Sequence, residues 1–249
     1  MRRVLFITGK NQYGVVDEFL TGMQADLAQL GFEFDELNLA DQTAAQAATE
    51  QLPDINEYTF IVSFNGVGND IKLKGGSFAQ YMQHKPIFLF MVDHPIRLID
   101  RFIGTAKHLQ LHILCVAKEH VEFCQMCGVK AHYFPHAYAK TKLEENAMLT
   151  LSDKSDEVLY PVSYLDLAKQ QQILQPVWHE ISAIVNASEN ITQFMQALGI
   201  IPNGRQPASR QLNNNLLRVC LAVDLYLRGK DRLDTLTRCA EAGVKLTVI

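Results

Sequence analysis

The chain has 249 residues and a mass of 28.1 kDa, and 48% of the residues are hydrophobic and 20% charged. This composition excludes a disordered chain and a fibrous repeat protein, and it predicts a buried core. Acidic residues number 27 and basic residues 23, so the net charge of −4 argues against a nucleic-acid partner. Apolar runs are all shorter than the roughly 20 residues that a membrane span needs, and the first run is too short for a signal peptide. We therefore expect a cytoplasmic protein with no membrane span.

The first forty residues have the pattern of a strand, a helix and a second strand. The short β-branched run at 4–8 ends at Gly9, and apolar residues at helical spacing follow over 15–30. Residues 32–39 alternate apolar and polar side chains, which predicts the second strand. The same alternation continues with helix 43–52, strand 60–64, a polar glycine loop to Gly76, a helix from Ser77, strand 87–92, helix 97–108, strand 111–116, helix 118–127 and strand 131–134.

This alternation predicts an α/β fold, a Rossmann-like parallel sheet with helices on both faces, because its strands are apolar on both sides. We assign residues 1–138 to that domain and residues 139–155, which are rich in polar side chains, to a linker. A largely helical segment, residues 156–249, then opens a second α/β domain. Its predicted elements are strand 157–160, helices 165–184, 191–198, 213–228 and 233–242, and strand 244–249.

The final strand has the composition of a buried parallel strand, and such a strand needs neighbours. We therefore expect the second domain to be incomplete, or the chain to be a fragment of a longer protein. An exposed sheet edge would favour pairing with another chain, so a homodimer is one expected assembly.

In an open parallel sheet, ligands bind beyond the carboxyl ends of the strands. Two glycine-rich loops occupy such positions. Glycines let backbone amides approach a ligand, and a helix N-terminus favours an anion. Neither loop has the lysine–serine ending of a P-loop, so an ordinary turn between strand and helix stays open as the alternative. The candidate binding residues in these loops are Gly9, Asn11, Tyr13, Gly14, Asn65 and Gly66.

The strongest local signal is Asp93-His94-Pro95, which follows the apolar strand 87–92 directly. The carboxylate can hold the tautomer of the imidazole, or either group can act as a general base. The alternative is that Asp93 caps the next helix and His94 is a surface histidine. His136 follows the last strand of the domain and adds another imidazole at the same edge.

One spacing resembles that of a zinc site, His-x3-Cys-x2-Cys-x4-His, formed by His120, Cys124, Cys127 and His132. Thiols on an apolar helix commonly behave as small hydrophobic groups, so we expect no metal. The five cysteines are scattered and odd in number, which favours free thiols over disulfides.

Four features occur in an order that resembles the bacterial glycosyltransferases of the GT-B type related to spore-maturation protein CgeB: Asp93-His94-Pro95, Phe134-Pro135-His136-Ala137, the segment 158–166 with Tyr164, and the segment 228–249. The resemblance implies transfer of a sugar from a nucleotide sugar to an acceptor, without a cofactor or an obligatory metal. It places the reaction between two Rossmann-like domains, the first mainly holding the acceptor and the second mainly the donor.

The resemblance also implies roles for individual residues. Asp93 or His94 would deprotonate the acceptor hydroxyl, while the 9–14 loop and His136 would line the cleft against the donor phosphates. The acceptor itself, a small molecule, a glycan or a protein, stays open. The alternative function is a non-catalytic binding or assembly protein derived from the same fold.

Overall fold

The computed structural model describes residues 2–9, 15–40, 52, 54–68, 72–73, 76–77, 84–101, 110–135, 157–160, 165–203 and 213–248. The chain divides into two compact units, Met1–Lys140 and Thr141–Ile249. The predicted helix 43–52, apart from Leu52, and the predicted linker 139–155 lie outside the described residues.

The first unit is built around a parallel sheet. Its elements in chain order are β1 (Arg2–Thr8), α1 (Val15–Gln29), β2 (Phe32–Asn38), a 3-10 turn (Ile55–Glu57), β3 (Tyr58–Phe64), β4 (Lys72–Leu73), β5 (Gly76–Ser77), β6 (Pro86–Met91), a 3-10 segment (Pro95–Arg101), β7 (Gln110–Cys115), α2 (Lys118–Met126) and β8 (Ala131–Tyr133).

Six of these strands form one sheet in the order β2-β1-β3-β6-β7-β8, and every neighbouring pair is parallel. The order reverses between β1 and β3, as in doubly wound nucleotide-binding folds. The prediction of a Rossmann-like α/β sheet is confirmed at this level.

Both faces of the sheet carry buried side chains. On one face, Val4 and Phe6 pack with Leu20 of α1. On the other face, Cys115 of β7 meets Cys124 of α2, with the two sulfur atoms 3.9 Å apart. Successive side chains of a strand point to opposite faces of the sheet. Because helices lie against both faces, all of these side chains are removed from water, which explains the continuous apolar runs of the inner strands.

The described parts of two predicted helices of this unit differ from the prediction, one in helix type and one in being a strand. The segment after β6 is a 3-10 segment, Pro95–Arg101, in which the Arg97 amide bonds to the His94 carbonyl at 3.1 Å. Residues 102–109 lie outside the described part. Ser77 belongs to a strand, because β4 and β5 pair as a short antiparallel hairpin that satisfies their backbone groups locally.

The second unit is mainly helical. It contains β9 (Glu157–Tyr160), α3 (Leu167–Leu174), a 3-10 turn (Gln175–Val177), α4 (Trp178–Ala187), α5 (Ile191–Ala197), α6 (Asn214–Glu241) and β10 (Lys245–Val248). Its core includes the fully buried side chains of Leu174, Val185, Phe194 and Val223.

Helix α6 corrects the prediction of two separate helices over 213–228 and 233–242. Gly229 lies inside the continuous helix, and a Cβ built on it would be only 2.7 Å from Leu167 Cδ2. The glycine therefore marks a close contact between α3 and α6, and that packing outweighs the weak helical tendency of glycine. The predicted helix 165–184 is instead interrupted at Gln175–Val177, where Pro176 supplies no amide hydrogen.

The prediction of a buried final strand is also wrong. β10 pairs in parallel with β9 alone among the described strands, and Val158 and Val248 are 49% and 53% exposed. A two-stranded sheet has too few neighbours to remove its side chains from water.

None of the helices in the described part of the chain is both long enough and apolar enough to cross a lipid bilayer.

Candidate functional site

Because β1 and β3 are parallel, the loops after these two strands lie at the same edge of the sheet, at the position where the strand order reverses. Gly9 begins the loop after β1, and Asn65 begins the loop after β3. The remaining predicted residues of the first loop, Asn11, Tyr13 and Gly14, lie outside the described residues, as do His136 and Tyr164. The described part of the site is therefore built from the loops after β3 and β6.

Asn65 is held by hydrogen bonds to the end of β6, to the Val92 amide that follows it and to the 3-10 segment. Its amide donates to the Phe90 carbonyl at 2.8 Å, and its side-chain Oδ1 accepts from the Val92 amide at 3.1 Å. Arg101 donates to its carbonyl at 2.8 Å. Its φ of 51° is the only positive value at a non-glycine position in the described chain. Asparagine is one of the residue types that adopt this left-handed conformation most readily, and these hydrogen bonds hold it there.

Packing accounts for two of the candidate glycines. A Cβ on Gly9 would come within 2.9 Å of Val67 Cγ1. Gly66 has a φ of 69°, and a Cβ there would be 3.1 Å from the Cβ of Arg101. These glycines let the loop after β3 lie against the end of β1 and against the 3-10 segment.

The carboxylate of Asp93 is anchored at one side and open at the other. Its Oδ1 accepts from Arg97 at 2.9 Å, and its Oδ2 accepts from Asn65 Nδ2 at 3.3 Å. The side chain is nevertheless 48% exposed. Each carboxylate oxygen keeps further capacity to accept a hydrogen bond from a bound hydroxyl.

His94 is buried, with 7% of its surface exposed, so the alternative of a surface histidine is wrong. Its Nδ1 accepts from the Ile96 amide at 3.2 Å, which places the proton of the neutral ring on Nε2. Burial, followed by the nearby His120 and Arg97, lowers the pKa of His94 to about 3. The ring is therefore neutral at pH 7 and orders the turn after β6.

His120, in the first turn of α2, extends the cluster. Its ring lies edge-on to His94, with the ring centroids 4.5 Å apart. Burial lowers the pKa of His120, with Glu119 and Asp93 opposing the shift and Arg97 adding to it. Its Nδ1 is buried and has no hydrogen-bond partner among the described residues.

Sequence reasoning did not select Arg97 or His120 as site residues. His120 follows the carboxyl end of β7, and this position was the signal that could have identified it. Arg97 lies four residues after Asp93, a spacing that carries little information until the turn between them is known.

The zinc-like spacing is not assembled in the fold. Cys124 faces Cys115, and His120 faces His94. His132 pairs instead with His112, with 3.3 Å between their ring nitrogens. Within the described ranges, no group of three or more histidine, cysteine, aspartate or glutamate side chains could hold a metal ion.

The arrangement thus offers an anchored and partly exposed carboxylate beside two histidines whose pKa values are lowered. Such a carboxylate can orient a ligand hydroxyl and accept its proton. No protein-family model matches the chain, and neither curated proteins nor solved structures give a significant match.

Proposed function

We propose that the chain is a glycosyltransferase of the GT-B type that transfers a sugar from a nucleotide sugar to an acceptor hydroxyl. The observation that carries the proposal is the Asp93 carboxylate, which projects at the carboxyl edge of a parallel sheet and is anchored by Arg97 and Asn65. The order of the sequence motifs around Asp93, His136 and Tyr164 supports it.

In this proposal Asp93 is the general base. The acceptor hydroxyl donates to the exposed side of the carboxylate and gives up its proton as its oxygen attacks the anomeric carbon. The bond from that carbon to the nucleotide oxygen breaks, and the nucleotide leaves with the electron pair. Arg97 and Asn65 keep the carboxylate oriented, so less motion is needed to reach a reactive geometry.

His94 has a positioning role in this scheme. Its Nδ1 is occupied by the Ile96 amide and its ring is buried, so the proton transfer is assigned to Asp93 alone. By the resemblance of the sequence motifs, the 9–14 loop and His136 are proposed to bind the donor phosphates, and no metal ion is required.

A second candidate is a non-catalytic binding or assembly protein. The observation that favours it is the two-stranded sheet of β9 and β10, whose Val158 and Val248 are about half exposed. Exposed strand edges with apolar side chains are suited to pairing with another chain, including a second copy of this one.

The test uses the full chain and a panel of uridine, guanosine, adenosine, thymidine and cytidine nucleotide sugars with simple sugar and phenol acceptors. Release of the nucleotide is followed by chromatography, and the glycosylated product by mass spectrometry. Replacing Asp93 with Asn should lower the transfer rate by about 10²- to 10⁴-fold, the usual contribution of a general base.

Asp35→Asn is the matched control. Asp35, in the middle of β2, also pairs with an arginine, Arg3 near the amino end of β1, at 2.8 Å. This variant should keep the transfer rate as long as it stays folded. Equal rates for wild type and Asp93→Asn would contradict the assigned base, whereas nucleotide-sugar binding without any release would favour the binding protein.

A further inference from the structure

A cavity of about 290 Å³ lies in the first unit between α1 and the sheet. Aromatic rings form much of its wall. Phe90 stacks on Phe64 with the ring centroids 5.4 Å apart, and Phe134 meets Phe90 edge-on at the same distance. Leu114 also lines the cavity. The wall therefore presents aromatic and aliphatic surface to an occupant.

The α1 side of this cavity includes Glu18, Gly22 and Asp26, which are spaced by four residues and share one face of the helix. Gly22 weakens the interior of the helix relative to alanine. A Cβ at Gly22 would meet nothing within 4 Å, and its φ is not positive. Neither packing nor backbone conformation requires glycine here, and its effect is to leave the cavity wall open.

Asp26 is a second residue on this face that does not favour the helix. It lies in the last turn of α1, where the helix dipole disfavours a negative charge, and that turn contains no basic residue. Among the described residues that line the cavity, the charged ones are Glu18 and Asp26, and both are acidic. No lysine or arginine is among these lining residues. Gly22 and Asp26 both lower the stability of the helix, and both lie on the helix face that lines the cavity. Their presence there indicates a binding role.

We propose that this cavity binds the apolar body of a small organic cation, specifically an aromatic amine. The volume exceeds the roughly 150 Å³ that accommodates one benzene ring, so a bicyclic ring system is a suitable size. The ring system packs against Phe90 and Phe134, and the ammonium group lies near Asp26. This site does not depend on sugar transfer.

The test is calorimetric titration of the full chain, at low ionic strength and pH 7, with three naphthalene probes. They are 1-naphthylmethylamine, which is cationic, 1-naphthalenemethanol, which is neutral, and 1-naphthaleneacetate, which is anionic. The amine should bind at least about fivefold more tightly than the alcohol, because ion pairing adds to the apolar contact, and the acetate should bind most weakly.

Variants locate the binding. Gly22→Leu places a side chain in the open space and should weaken the binding of the amine at least about tenfold, whereas Gly22→Ala should stay within about threefold of wild type. Asp26→Asn should remove most of the preference for the amine and leave the affinity for the alcohol unchanged. Asp17→Asn, an exposed acid of the same helix that is not among the lining residues, should change neither.

Three results would overturn the proposal. The first is no binding of any probe to the wild-type chain. The second is unchanged affinity in a Gly22→Leu variant that circular dichroism shows to be folded. The third is acetate binding that equals or exceeds amine binding. If Gly22→Leu does not fold, the comparison of Asp26→Asn with Asp17→Asn still decides whether the amine binds here.

Discussion

Acidification below pH 6.5 should destabilise the first unit through His94. The folded chain holds this imidazole neutral, because the ring is buried, its Nδ1 accepts from Ile96, and His120 and Arg97 lie nearby. In the unfolded chain the same ring is hydrated and binds a proton near its ordinary pKa of 6.5. The proton therefore binds preferentially to the unfolded state.

The sign and size follow from the two pKa values. Above pH 6.5 the ring is neutral in both states and contributes no pH dependence. Between pH 6.5 and about 3 the unfolded state carries more protons, so the free energy of unfolding falls as the pH falls. At about 1.36 kcal/mol per pH unit, His94 should lower stability by about 2 kcal/mol at pH 5.

The comparison protein is His94→Asn, whose Oδ1 can accept from the Ile96 amide as Nδ1 does but does not titrate. Urea unfolding at several pH values, followed by far-UV circular dichroism, gives the free energy of unfolding for both proteins. Fluorescence of Trp178, the single tryptophan, follows the second unit separately. The other histidines are present in both proteins, so the difference between the two profiles reports His94 together with its contact with His120.

We expect the wild-type free energy of unfolding to fall by about 2 kcal/mol more than that of His94→Asn between pH 7 and pH 5. Parallel profiles over this range would refute the reasoning. They would mean that the ring takes up its proton in the folded state as readily as in the unfolded chain.

Three further predictions concern packing and helix ends. Gly9→Ala should cost about 1–3 kcal/mol of stability because its Cβ would overlap Val67, and Val67→Ala in the same chain should restore most of it in urea unfolding. Asn213→Ala removes the hydrogen bond that the Leu216 amide donates to the side chain capping α6, and should cost about 1 kcal/mol, measured through Trp178 fluorescence. Phe194→Ala leaves a cavity at a fully buried position and should cost about 3–5 kcal/mol by the same probe; a loss below about 1 kcal/mol would contradict that burial.

Several features of the site could be predicted from the sequence. Asn65 and Asp93 follow apolar strands directly, and chain connectivity alone places them at the carboxyl ends of those strands. The partners of Asp93 could be predicted less well. The bond to Asn65 joins residues 28 positions apart, so it depends on the pairing of β3 with β6.

The sequence by itself determined the α/β character of the first unit and most strand positions, because hydrophobic periodicity is a property of contiguous residues. Only the tertiary structure decided that α6 continues through Gly229, that His94 is buried against His120, and that β10 stays partly exposed. Each of these depends on contacts between segments distant in the chain. Burial of a side chain changes the free energy of folding by as much as the preference of a residue for helix or strand does. The local sequence pattern therefore cannot decide these three features.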